Sequence, residues 1–101
     1  MGLFGNNDSL RDEIRKAAAW ATTRPINGLA IGLHPADAAV DELGNVICLS
    51  HYGRHDSPYG WEIDHREASC LGGPDALSNL RALKCKANRS LGGILGSFMK
   101  S

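Results

Sequence analysis

The chain has no apolar run long enough to cross a membrane or to form the core of a secretory signal, and its three cysteines form no Cys-x-x-Cys pair. The first absence points to a cytoplasmic protein without a membrane partner. An odd cysteine count with no leader does not make a disulfide framework, so Cys48, Cys70 and Cys85 read as reduced core thiols. Net charge is missing as well: 11 basic and 11 acidic residues cancel, which by itself argues against a nucleic-acid binder. Repeats and low-complexity tracts are absent. Length is also limited, since 101 residues make one domain, spanning 1–101, that buries little over ~60% of its unfolded surface. A deep small-molecule cavity is not expected at that size, and a shallow groove for a polymer substrate suits it better.

The charges that are present are unevenly placed. Residues 1–65 carry five basic and nine acidic side chains, net −4, while residues 66–101 carry six basic and two acidic, net +4. The second half therefore regains the character of a phosphate binder that the whole chain lacks.

Local patterning predicts a mixed α+β protein. Ser9 can cap a helix whose apolar stripe is Leu10, Ile14, Ala17, Ala18 and Ala21, and Pro25 stops it, giving a helical extension over 8–25. Residues 26–37 show neither helical nor strand period and read as an irregular connection. Ala39-Val40 and Val46-Ile47-Cys48-Leu49 flank a turn in which Gly44 or Asn45 can take positive φ, a β-hairpin. Tyr59, Trp61 and Ile63 alternate with Gly60, Glu62 and Asp64, a strand that delivers Asp64 and His65 at its end. Leu71-Gly72-Gly73-Pro74-Asp75 is a loop; Leu80, Ala82 and Leu83 read as a second strand. From about Lys84 the spacing Ala87, Leu91, Leu95 is helical, with Gly92-Gly93 as its stop.

Within that succession Trp61-Glu62-Ile63-Asp64-His65, Gly72-Gly73, Asn79-Leu80 and Asn88-Arg89 stand in a fixed order, Asn79 14 residues after His65 and Asn88 nine after Asn79. The region 41–92, about half the chain, resembles the HNH endonucleases, in particular small stand-alone members from phage and bacteria in a His-Asn-Asn variant. The resemblance implies a ββα-metal (His-Me finger) core over 59–92, preceded by the hairpin and the N-terminal helix. It also implies a bacterial or phage-infected cytoplasm as the setting.

Phosphodiester hydrolysis needs a base for the attacking water and a cation for the charge that builds on phosphate. A histidine can be neutral at physiological pH and take that proton. A carboxylate and an amide oxygen are hard ligands suited to Mg²⁺ or Mn²⁺. By resemblance, His65 is the general base, Asp64 and Asn88 hold one divalent metal, and Asn79 ties the loop to the strand by side-chain hydrogen bonds. Relatives often add zinc held by two Cys-x-x-Cys pairs; these are absent, so no structural zinc is expected. Arg66, Lys84, Lys86, Arg89 and, more remotely, Arg54 are the candidates for gripping nucleic-acid phosphates, with His51 and His55 fainter still.

The sequence departs from the family pattern in ways that remove charge. Arg66, Ala68 and Leu71 stand where relatives often carry an apolar residue, a proline and a lysine, and Asn88-Arg89-Ser90-Leu91-Gly92 lacks the usual lysine. The expected function is cleavage of DNA, or of RNA, with low sequence specificity, a protein partner supplying selectivity; the oligomeric state is open. The alternative is a nucleic-acid-binding module on the same scaffold with little or no turnover.

Overall fold

Fourteen residues, Asn7–Trp20, form helix α1 in the computed structural model, which describes residues 7–67, 75–86, 88 and 89. Ser9 thus lies inside the first turn and not at the cap, and α1 ends five residues before Pro25. The reason for the early stop is local. The Thr22 and Thr23 hydroxyls donate to the Ala19 and Trp20 carbonyls, each at 2.7 Å, competing for acceptors that another helical turn would use.

The chain then runs extended as β1 (Arg24–Pro25), which pairs antiparallel with β2 (Ala38–Val40). Pro25, on an edge strand, lacks only a ladder donor that the sheet does not need there. The connection across 26–37 is irregular apart from a short 3-10 turn at Gly28–Ile31. Strand β2 pairs with β3 (Val46–Cys48), so the first sheet has the order β1-β2-β3. Of the two residues considered for positive φ, Gly44 takes it, at +87°. The turn is organised by fully buried Asp41, whose Oδ1 accepts the Leu43 and Asn45 backbone N–H groups at 2.9 and 2.8 Å. Its Oδ2 accepts the Lys84 N–H at 2.9 Å, which pins the hairpin to the second sheet.

That second sheet is one antiparallel pair, β4 (Trp61–His65) and β5 (Leu80–Lys84), with Trp61 opposite Lys84 and His65 opposite Leu80. Entry into β4 requires Gly60, because a Cβ there would lie 1.8 Å from the Arg54 carbonyl oxygen. Lys84 is a strand residue, so the helical path begins later than expected, at Lys86; Asn88 and Arg89 continue it, both donating N–H to the Cys85 carbonyl. Gly72-Gly73, Pro74, Cys70, Ala87 and everything from Ser90 onward, including the expected stop at Gly92-Gly93, lie outside the described residues.

Ala19, Ile47, Trp61, Leu80 and Ala82 form the buried cluster, with Trp20 and Ile63 packed on it. Helix α1 therefore faces the sheet through Ala19 and Trp20, and the Trp20 and Trp61 rings lie 5.1 Å apart. Leu10 and Ile14, expected to face inward, are 62% and 46% exposed. Arg15 and Lys16 on the same helix meet partners on the body of the protein, Asp75 and the Tyr52 ring. Cys48 and Cys85 are buried free thiols. Among the described residues no helix is long and apolar enough to cross a membrane. The described architecture is a small α+β domain of one long helix and two small antiparallel sheets.

Candidate functional site

The period of two along β4 sends Asp64 and His65 to opposite faces at the strand's end. His65 is 38% exposed, and its Nε2 lies 2.8 Å from Asp75 Oδ1. A carboxylate only accepts, so the ring proton of neutral His65 is on Nε2 and the lone pair is on Nδ1. Arg15 Nη1, reaching from α1, approaches the same Asp75 oxygen at 2.9 Å. The His65 N–H and then the Arg15 guanidinium hold the Asp75 carboxyl below the usual carboxylate range. Beside this chain lies a groove of about 500 Å³ lined by Leu10, Arg11, Ile14, Arg15, Asp75 and Leu77.

Asn79 is 3% exposed and spans the base of the β4–β5 connection. Its Oδ1 accepts the Glu67 N–H at 3.0 Å and its Nδ2 donates to the Glu67 carbonyl at 2.8 Å, while its backbone carbonyl accepts the Arg66 N–H at 2.9 Å. The segment leaving His65 is thereby stitched to the segment entering β5.

Asp64 and Asn88 have separate surroundings. Arg81, opposite Asp64 in the ladder, donates Nε to Asp64 Oδ2 at 3.0 Å. The Asn88 amide nitrogen donates to the Ser57 carbonyl and, at 3.4 Å, to that of His55. Two carbonyl acceptors fix the orientation of that amide and leave Oδ1 as its acceptor end. The donor chemistry of the pair, a carboxylate and an amide oxygen, fits a hard divalent cation. No hydrogen bond joins Asp64 to Asn88 among the described residues.

The charge halves seen along the sequence meet in space. Arg66 pairs with Glu42 at 2.6 Å, Arg81 bridges Glu42 and Asp64, and Arg89 pairs with Glu62 at 3.2 Å, while Arg54 pairs with Asp56 at 3.3 Å inside the first half. Acids of the first half thus neutralise much of the basic second half, so the net +4 segment does not become a bare cationic face. Burial pulls the half-buried Lys84 ammonium below its ordinary value, with Asp41 opposing the shift. Lys86 is exposed.

Sequence reasoning passed over Asp75, Arg15 and Glu42. Asp75 sits ten residues beyond His65 in the sequence, and Arg15 is on the N-terminal helix, so no spacing rule connects them. A cluster of His55, Glu62 and Cys85 was also not visible in the sequence: their ligand atoms lie within 4.8 Å of one another. Comparison with protein-family models, with curated proteins and with solved structures returns no match.

Proposed function

We propose that this chain is a metal-dependent endonuclease of the ββα-metal kind that hydrolyses DNA phosphodiester bonds with low sequence specificity. The observation that carries the reading is His65 at the exposed end of β4, with Nε2–H engaged by Asp75 and Nδ1 left as a base. The antiparallel β4–β5 pair running into helical residues at Lys86 supports the scaffold half of the reading.

In this mechanism His65 Nδ1 takes a proton from water as the water oxygen attacks phosphorus, and the bond to the departing sugar oxygen breaks. The departing oxygen is protonated from solvent. Asp75, fixed by Arg15, holds the ring in the required tautomer and stabilises the imidazolium that forms. General-base catalysis of this type is worth about 10²–10⁴-fold in rate. The resemblance would assign Asp64 and Asn88 one Mg²⁺ or Mn²⁺ ion for charge neutralisation on the phosphate, which requires Asp64 to leave Arg81 and turn from the face opposite His65. Asn79 keeps the segment after His65 from swinging away. Lys86 and Arg11 are exposed cations placed to meet a backbone phosphate.

The Arg81–Asp64 ion pair favours the second reading, a nucleic-acid-binding module with little turnover, because the guanidinium occupies one of the carboxylate oxygens a metal needs. Nicking of supercoiled plasmid with Mg²⁺, Mn²⁺ or chelator separates the two. The nuclease reading expects metal-dependent nicking that His65→Ala reduces at least about 100-fold. Salt-sensitive binding without nicking under any of these metals refutes it and selects the binding module.

A further inference from the structure

We propose that His55, Glu62 and Cys85 form a binding site for a thiophilic divalent cation, zinc by preference, distinct from the Asp64/Asn88 pair. His55 lies on the exposed turn between His51 and Tyr59, Glu62 is the second residue of β4, and Cys85 directly follows β5. Three segments distant in sequence thus present an imidazole nitrogen, a carboxylate oxygen and a sulfur within 4.8 Å of one another. Tetrahedral zinc holds such atoms at about 2.0–2.3 Å from itself, so they stand roughly 3–4 Å apart, and rotation of the exposed His55 ring supplies the contraction.

The backbone around the cluster is already fixed. Cys85 donates its N–H to the Gly60 carbonyl at 3.0 Å, Gly60 donates to Ser57 at 3.1 Å, and Asn88 donates its amide to the Ser57 and His55 carbonyls. Ligands carried on such a braced frame lose little freedom on binding a metal. Among the described residues, the hydrogen bonds to the Glu62 carboxylate, from the Lys86 N–H and from Arg89, fall on Oε2, and Oε1 is the oxygen offered to the ion.

The donor set decides the metal. A thiolate and an imidazole select zinc over magnesium or calcium, which want oxygen ligands. With neutral His55, the carboxylate and the thiolate together carry two negative charges, and a divalent ion cancels them inside a partly buried site. Coordination breaks the Cys85 S–H bond, forms the S–metal bond and releases one proton to solvent. Three protein ligands leave a fourth position for water. The ion acts as a clip between the turn carrying His55 and the start of the helical segment, stiffening the carbonyls that hold Asn88.

The test is titration of the reduced full chain with Co²⁺ as an optical probe, followed by Zn²⁺ competition. The expected result is one equivalent of Co²⁺ with a sulfur-to-cobalt charge-transfer band, bleached by equimolar Zn²⁺. Cys85→Ser should abolish the band. Because Cys85 is buried, the exposed His55→Ala is the second variant, expected to keep the parental circular dichroism and weaken binding more than about 100-fold. Asp64→Asn should leave the band and its affinity unchanged. A folded parent without the band, a band that survives Cys85→Ser, or parental affinity in His55→Ala overturns the site.

Discussion

Removing the Asn79 side chain should weaken the fold and the chemistry together, and the structure sets the size of the effect. Asn79 is 3% exposed, and its amide accepts from and donates to the backbone of Glu67 at 3.0 and 2.8 Å. Each such bond contributes about 0.5–1.5 kcal/mol net, so Asn79→Ala should cost roughly 1–3 kcal/mol. At about 4–8 °C per kcal/mol for a domain near this size, Tm should fall by roughly 5–20 °C. Asn79→Leu separates hydrogen bonding from volume: it fills the space, offers no partner, and should melt as low as Asn79→Ala. Asn79→Asp keeps the acceptor for the Glu67 N–H but sets an anionic oxygen against the Glu67 carbonyl, so it should be no better. Thermal unfolding by circular dichroism, with plasmid nicking on the same samples, reads both consequences. An Asn79→Leu protein that melts like the parent would show that the amide does not hold this segment.

Asp75→Asn tests the orientation of His65: the neutral amide no longer stabilises an imidazolium, so nicking should fall by about 10-fold or more while Tm changes little, Asp75 being exposed. Equal activity in the two proteins would remove Asp75 from the mechanism. Asp41→Ala should cost about 3–5 kcal/mol by orphaning the Leu43, Asn45 and Lys84 N–H groups inside the hairpin; a urea midpoint within experimental error of the parent would contradict that account. Acid should destabilise the protein. Burial raises the Asp37 carboxyl, but the Ser50 hydroxyl and N–H outweigh it and hold it below its ordinary value. A depressed carboxylate contributes stability that is fully present above the unfolded value of about 3.9 and lost as pH falls through the folded value. Urea midpoints should therefore be steady from neutral pH to about 5 and drop below about 4. Asp37→Asn should flatten that drop, and a profile parallel to the parent's would count against it.

Much of the fold was legible because it is written in short-range chemistry. The alternation from Trp61 to His65, the Gly44 turn between two apolar segments and the apolar residues Leu80, Ala82 and Leu83 each describe a strand from neighbouring residues alone. The end of α1 was not legible from proline, because two threonine hydroxyls act before Pro25 does. Nor was its buried face: the stripe of Leu10 and Ile14 satisfies the helical period, yet Ala19 and Trp20 pack inward.

The candidate site divides in the same way. The sequence by itself determined which chemical groups the chain carries and the order and spacing in which Asp64-His65, Asn79 and Asn88 succeed one another. Only the tertiary structure decided their partners. It put Asp75 and Arg15 behind His65, Arg81 on Asp64, the Glu67 backbone on Asn79, and His55, Glu62 and Cys85 at one point. It also decided that a chain divided into −4 and +4 halves folds its acids onto its arginines. Hydrogen bonds and ion pairs act over a few ångströms, and residues ten to sixty apart come within that range only when the backbone between them has folded.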